Sequence, residues 1–422
     1  MLLIPSLKHI TKKQKIEYFP DSADFYLPLQ SYNGSYMELI VNVADSVKKY
    51  QLIAKSTTAF RASIHAPVSG TILGIVEIDG KQYIHLKNDF KYTETLLEPV
   101  ELKTLSVSTF IRMLLEKGIE GEGGARFPAY KKYKAYEEQI DTLILNGAEC
   151  EPYLSSDYAV MKYFAKELMA VLKTIQSLWK IKRIVFGIEK HNKELKPLLT
   201  KEALEIDLKI EIKLLPNQYP QGGKLQLIKS VTGLELAKGT IPSQHGILVH
   251  NVSTLYAIHQ SLAKGLPRIE RVITISGNSK HKIGNYLIKI GTPVDHILKT
   301  IQHQWDPELQ TIVLGGAMMG KAIQSPLTPI HKGVGGLLIL NSPKKNADNC
   351  IECGYCVDVC PQKLMPLEFV RNTINQQWKK LNDFHLNDCI ECGACAYTCP
   401  SDVPLMNSIF EGKMYLKNAE SI

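Results

Sequence analysis

Eight of the nine cysteines in this chain stand in two copies of one pattern near the C-terminus. The first copy is Cys350-x2-Cys353-x2-Cys356-x3-Cys360-Pro361, the second Cys389-x2-Cys392-x2-Cys395-x3-Cys399-Pro400. Three thiolates separated by two residues each wrap one corner of an iron-sulfur cube, while the fourth, followed by proline, turns toward the other cube. Ligation is therefore crossed: Cys350, Cys353, Cys356 and Cys399 hold cluster one, and Cys389, Cys392, Cys395 and Cys360 hold cluster two. The spacing between copies is the same at every cysteine, as expected of a pseudo-twofold pair.

The run is the two-cluster ferredoxin signature, and it points to single-electron transfer. Structural zinc sites also use C-x2-C pairs, but they need neither the third C-x2 step nor the Cys-Pro ending. Small residues between the ligands (Gly354, Gly393, Ala394, Ala396) let backbone amides approach the sulfurs and help set potential.

A length of 422 residues exceeds one ordinary core and suggests roughly three or four units. With 45% hydrophobic and 22% charged residues, most of the chain can bury cores, which excludes general disorder. The formal charge of +8 suits an anionic ligand, an acidic redox partner or an anionic surface. No dense Lys/Arg block interleaved with aromatics is present, so no nucleic-acid partner is expected. Met1 to Pro20 carries no apolar signal region, and no run of about 20 apolar residues occurs, so no membrane crossing is expected. Cluster-binding thiolates point to the reducing cytoplasm, where Cys150 stays a free thiol.

Residues 25–95 read as a small β domain, with turns at Asn33-Gly34 and Asp79-Gly80 between runs such as Met37 to Val43 and Gly70 to Ile78. The stretch His65 to Ile72 resembles the half-motif of biotinyl and lipoyl-like barrel-sandwich domains. No lysine matches the carrier position, so a scaffold is expected. Residues 108–260 alternate helices with apolar strands: Thr142 to Asn146, Arg183 to Ile188, Ile206 to Leu215 and Gly246 to Asn251. A helix over Ser155 to Trp179 joins the first two strands. This order predicts a parallel sheet. A shorter α+β unit covers 265–315, and the cluster domain covers 340–410, its two cysteine runs joined by a helix over Pro366 to Lys380.

Gly121-Glu122-Gly123-Gly124-Ala125-Arg126-Phe127-Pro128 is a loop in which missing β-carbons let backbone amides close on a phosphate or a flat ring. A tight structural turn is the competing reading. The loop fails the G-x-G-x-x-G pattern because position 126 is Arg.

Taken together, this loop, Leu145 to Pro152, Tyr219-Pro220-Gln221-Gly222-Gly223, His250 to Thr254 and the doubled cysteine run resemble the C subunit of the Rnf ion-translocating oxidoreductase. The first four also resemble, more distantly, the flavin-binding subunit of respiratory complex I. The resemblance implies a mixed α/β and α+β multidomain chain. It would comprise a barrel-sandwich domain, a Rossmann-like FMN and NADH domain, a soluble-ligand-binding β-grasp-like domain and a two-cluster 4Fe-4S ferredoxin-like domain. By matching position, Gly121, Gly123, Gly124 and Lys132 would line FMN, Asn146 and Glu149 would meet its ring or ribityl chain, and Asn251 and Thr254 its phosphate end. Phe127 would lie near the nicotinamide. The bland readings are Lys132 as a surface lysine, Glu149 as a strand-end cap and Cys150 as packing.

The family usually has Gly at 126, Thr at 129, Glu at 224 and Pro at 317, where this chain has Arg126, Ala129, Lys224 and Ala317. An arginine at 126 either fills the flavin site or adds a charge-assisted contact to a phosphate. Loss of the carboxylate at Lys224 would weaken binding of the nicotinamide ribose. The resemblance implies electron passage between NAD(H), FMN and two 4Fe-4S clusters, with ferredoxin-type carriers and membrane subunits of the same complex as partners. It also implies a peripheral place on the cytoplasmic face of the inner membrane. The rival readings are an electron wire with a decayed flavin site, and a soluble NADH-dependent reductase such as a cobalamin reductase. No catalytic side-chain constellation is needed, since the protein orients cofactors.

Overall fold

The computed structural model describes residues 1–30, 36–56, 62–134, 140–279, 282–342 and 348–419. The Asn33-Gly34 turn lies outside them.

In the N-terminal unit an antiparallel sheet in the order Asp24–Pro28, Lys81–Asn88, Gly70–Ile78, Ser46–Val47 accompanies a three-stranded sheet of Glu38–Leu39, Leu52–Lys55 and Ser63–His65. Side chains alternate along Asp24–Pro28, which sends Phe25 and Leu27 into a core with Ile53, Ile72, Ile84 and Leu86. The turn at Asp79-Gly80 has φ of +50° and +70°, the left-handed pair that matches strand twist in a tight hairpin.

The second unit is a fully parallel sheet in the order Glu211–Leu215, Arg183–Glu189, Thr142–Gly147, Ile247–Asn251. Its middle strands are buried on both faces, which is why they read as near-continuous apolar runs. The chain builds outward from Thr142–Gly147 in one direction, then returns to place Ile247–Asn251 on the other side. Such a reversal opens a crevice beyond the carboxyl ends of the strands, the usual ligand position in open α/β sheets. Two sequence expectations are corrected. The helix expected over Ser155 to Trp179 is broken into Ser156–Tyr163 and Ala165–Trp179, because Phe164 leaves helical geometry to stack on Tyr256 at 4.1 Å between ring centroids. The last-but-one strand begins only at Glu211, since Asp207 takes φ +52° after helix Leu195–Leu204.

A six-stranded mixed sheet follows, in the order Ile16–Tyr18, Gly284–Lys289, Glu270–Gly277, Gly336–Asn341, Gln310–Leu314, Lys321–Ala322. It extends past residue 315, because Gly336–Asn341 fills the gap between two earlier strands, and Ile16–Tyr18 supplies an edge from the far N-terminus. The C-terminal unit is built of short helices and turns around Phe369, Leu381, Leu386 and Ile409, closed by the long helix Leu405–Ala419. The helix expected over Pro366 to Lys380 is two helices, Pro366–Ile374 and Trp378–Asp383. The positive φ of Gln376 (+54°) turns the chain between them. Among the described residues no helix is long and apolar enough to cross a membrane.

The glycine loop is anchored by buried charge. Arg268 donates from Nε and Nη2 to the two carboxylate oxygens of Glu122, the latter at 2.7 Å, with the Arg271 guanidinium 3.9 Å away. Arg268→Ala leaves a buried carboxylate short of its main partner and is expected to destabilise by about 3–5 kcal/mol. Arg268→Met with Glu122→Leu is expected to cost much less, and paired denaturant melts check both.

Candidate functional site

The carboxyl ends of the strands at the reversal gather the sequence-predicted flavin residues. Asn251 caps helix Val252–Lys264, its Oδ1 accepting from the Ser253 and Thr254 amides, and its Nδ2 donates to Asp157. Thr254 Oγ1 accepts from the Glu122 amide at 2.9 Å, which pins the glycine loop to that helix end. A β-carbon at Gly123 would sit 3.4 Å from Asn251, so the loop packs closely there, whereas one at Gly124 (φ +98°) would meet nothing within 4 Å. The open side of the loop is at Gly124, and Gly121 faces the backbone of Phe127.

Lys132 donates to the Val249 carbonyl at 2.8 Å, and its ammonium is pushed down to about 8 by burial and by Lys224 nearby. Two cations at one mouth suit an anionic ligand. Asn146 donates to Gly222 O at 2.9 Å and so holds the Tyr219 to Gly223 segment against the sheet end. Glu149 is spent locally: its carboxylate accepts from Ser156 Oγ and the Asp157 amide at 3.0 Å each, and from the Tyr158 amide at 3.3 Å. It thus caps helix Ser156–Tyr163. Asn251 and Glu149 are positioning groups in this arrangement. Asn immediately before an apolar helix start, here Asn251 ahead of Val252, is a sequence-level cap signal that would have shown this.

Arg126 does not enter the space beside Gly124. Its Nε donates to Glu120 Oε2 at 2.9 Å, and its side chain crosses Gly333, where a β-carbon would fall 2.9 Å from Arg126 Cγ. Arg126 keeps the left-handed φ of +56° that favours glycine, a strain of about 1–2 kcal/mol offset by the buried pair with Glu120. Ala129 is buried at the start of helix Ala129–Lys134, and Lys224 opens helix Lys224–Thr232 with its side chain exposed. Ala317 packs beside Leu154, Val313 and Leu338. The residues present fit a flavin: an open glycine edge, two lysines with no carboxylate bound to them among the described residues, and a capped helix end.

The second centre is a cavity lined by Cys360, Cys389, Cys392 and Cys395 and walled by Leu364, Phe369, Met406 and Ile409. Cys360 belongs to the first run and the other three to the second, the grouping expected from crossed ligation. Backbone amides already point at sulfur: Leu364 N to Cys360 Sγ at 3.3 Å and Glu391 N to Cys389 Sγ at 3.4 Å. Burial and the neighbouring sulfurs push the thiol of Cys395 up to about 12 and that of Cys392 up to about 11. Four thiols drawn from both runs and lining one apolar cavity are the donor type a 4Fe-4S cube takes. Of the other four, Cys350 and Cys353 are exposed, and Cys356 and Cys399 are half-buried. The cysteines expected to hold cluster one thus lie nearer solvent than those lining the cavity.

Sequence reasoning missed the bridge between the centres. The Tyr219 hydroxyl, fully buried, donates to Cys392 O at 2.7 Å, and Cys150 Sγ accepts from Gly222 N at 3.3 Å. The segment that Asn146 holds is thus bonded at its other end to a cluster ligand. Leu2 pairs with Tyr219 through the backbone and packs with Ile4 against the same patch, so the N-terminal segment covers the junction. Tyr219 stood inside a recognised motif, but nothing local marks its hydroxyl as a tie to residue 392.

Residues 2–88 match the RnfC barrel sandwich hybrid domain, 114–260 the Nuo51 FMN-binding domain and 349–403 a 4Fe-4S dicluster domain. The C subunit of the ion-translocating oxidoreductase complex of Rhodobacter capsulatus is 33% identical over 376 residues, covering 86% of this chain and 72% of that protein. Its counterpart in Haemophilus influenzae (strain PittEE) is 34% identical over 414 residues, covering 95% of this chain and 63% of that protein. The Vibrio cholerae El Tor counterpart is 34% identical over 396 residues, covering 90% and 50%. The chain thus spans roughly half to two thirds of the length of several of these relatives. An NAD+-reducing [NiFe]-hydrogenase in its H2-reduced state shares the fold at a TM-score of 0.52 and 15% identity, over 77% of this chain and 66% of that one. The cofactors are FMN and two 4Fe-4S clusters.

Cys360→Ser is expected to damage the cluster held by Cys389, Cys392 and Cys395, and loss confined to the other cluster in low-temperature EPR would refute crossed ligation. The Asp157 carboxyl is pushed up from 3.8 to about 7 by burial and by Glu149. Through that window the folded chain keeps a proton the unfolded chain has lost, so this group's contribution to stability falls as pH rises. Asp157→Asn should flatten that part of a stability-versus-pH profile measured by denaturant titration.

Proposed function

The chain belongs to the family of the C subunit of the ion-translocating oxidoreductase complex, and we propose that it passes electrons between NAD(H), FMN and its two 4Fe-4S clusters for that complex. A nicotinamide gives or takes a hydride, two electrons at once, clusters move one at a time, and the flavin supplies the conversion. The observation that carries the reading is the continuous connection from Asn146 through Gly222 and Tyr219 to Cys392, which sets the crevice against the buried cluster cavity. Lys132 and Lys224 would hold negative charge at the crevice, and the exposed glycine edge at Gly124 would admit the flat ring. Gly121 and Gly123 would line the flavin from the closed side of the loop. Asn251, Thr254 and Glu149 would keep the loop and helix ends in place around it.

On this reading the parallel sheet is a Rossmann-like FMN and NADH domain, the six-stranded sheet a β-grasp-like ligand-binding domain, and the C-terminal unit a ferredoxin-type domain. The cluster nearer solvent, held by Cys350, Cys353, Cys356 and Cys399, would exchange electrons with membrane subunits of the complex or with ferredoxin-type carriers. The chain would sit peripherally on the cytoplasmic face of the membrane. Retraction of Arg126 onto Glu120 favours this over a wire with a decayed flavin site.

Anaerobic addition of NADH to protein loaded with FMN and clusters is expected to bleach the broad visible iron-sulfur absorbance. Bleaching by dithionite with none by NADH would sink the proposal and leave an electron wire.

A further inference from the structure

We infer that Lys238 raises the reduction potential of the buried cluster, the one held by Cys360, Cys389, Cys392 and Cys395. The inference rests on the electron-transfer reading and assigns a residue that no cysteine motif or flavin motif contains.

Lys238 lies after helix Lys224–Thr232, in the parallel-sheet unit and outside the cluster domain. Its ammonium crosses to the cluster domain and donates to the carbonyls of Asn387 and Cys389, the latter at 2.9 Å. Lys413, on helix Leu405–Ala419, donates to the same Cys389 carbonyl at 2.6 Å and pairs with Glu391. Two ammonium groups from two units therefore converge on the backbone of one ligand. Glu391 balances one lysine, so the trio keeps one net positive charge beside the cavity. Asp388 also acts on Lys238 electrostatically, and it stays in place when the lysine is replaced, so the substitution removes one full charge from this corner.

The cysteine repeat supplies an internal comparison. Glu391 in the second run corresponds to Glu352 in the first, and each has a basic partner, Lys413 and Arg371. Those two pairs are alike. Lys238 lies outside the repeat, so the pseudo-symmetry provides no equivalent of it. It is a cation the repeat does not supply, and it stands at the cluster nearer the flavin crevice.

The physical effect has a definite sign. Reduction adds one electron, and so one negative charge, to a cluster already surrounded by four thiolates. Burial of Cys392 and Cys395 opposes that charge, and a nearby cation favours it. Lys238 itself is exposed, so its effect is screened by salt. The residue also ties the two units together, and charge and tie are separable by substitution.

The test uses the full chain, anaerobically loaded with both clusters, in a potentiometric titration followed by EPR. The exposed cluster is identified by its faster relaxation with a soluble paramagnetic agent. Lys238→Gln keeps a donor for the carbonyls and removes the charge, and Lys238→Arg keeps both. The Gln variant is expected to lower the midpoint of the buried cluster alone, the Arg variant to hold the native value, and the difference to shrink as ionic strength rises. An unchanged midpoint in a Gln variant with native iron and sulfide content overturns the inference, as does an equal shift of both clusters. Failure of the Gln variant to load clusters that the Arg variant loads would make Lys238 a structural tie and overturn it too. Native protein that loads no clusters would instead remove the electron-transfer reading itself.

Discussion

A buried network of charges where the units meet is the constraint on which the rest of the structure depends. Lys332 donates to Ser63 O in the β domain, to Gly118 O beside the glycine loop and to Glu120, and Glu120 in turn holds Arg126. Two residues on, Glu122 is gripped by Arg268 and faced by Arg271 from the six-stranded sheet. The loop is thus fixed from beneath by alternate acidic side chains, while Gly124 keeps its other side open. Isolated buried ions are costly, so each is tolerable only because the neighbouring unit brings its partner. The loop's shape is therefore a property of the assembled units.

The same logic places the two redox centres. Reversal of strand order leaves Asn146 and Asn251 side by side at the sheet's carboxyl edge, and the Tyr219 to Gly223 segment runs from there to the cluster domain. A β-carbon at Gly222 would fall 2.3 Å from Ala148 O, so only glycine allows the segment to lie against the end of the central strand. At its far end the Tyr219 hydroxyl has a backbone acceptor, which a buried phenol requires.

The cluster domain shows how little core such a unit needs. Its apolar residues surround cysteines, and Cys356, Cys360, Cys389 and Cys399 pack against the core formed by Phe369, Leu381 and Ile409. Burial, with the neighbouring sulfurs, pushes the thiols of Cys392 and Cys395 up from their ordinary values.

The cysteine spacing by itself pointed to two 4Fe-4S clusters, because three ligands two residues apart make a local pattern that a linear reading can recognise. Apolar runs likewise revealed the parallel strands, since a strand buried on both faces leaves no alternation to misread. Sequence alone left Arg126 either filling the flavin site or reaching a phosphate, and the tertiary structure turns it to neither, pairing it with Glu120 and laying its side chain across Gly333. It read one helix at 155–179 and another at 366–380, where stacking on Tyr256 and a left-handed Gln376 break each in two. It read Glu149 either as a flavin contact or as a cap, and the structure gives its carboxylate to Ser156 and to the Asp157 and Tyr158 amides at the start of a helix. Lys238, Tyr219 and Arg268 acquired their roles only through partners far away in the chain, and a linear pattern carries no information about which distant carbonyl or carboxylate a side chain will meet.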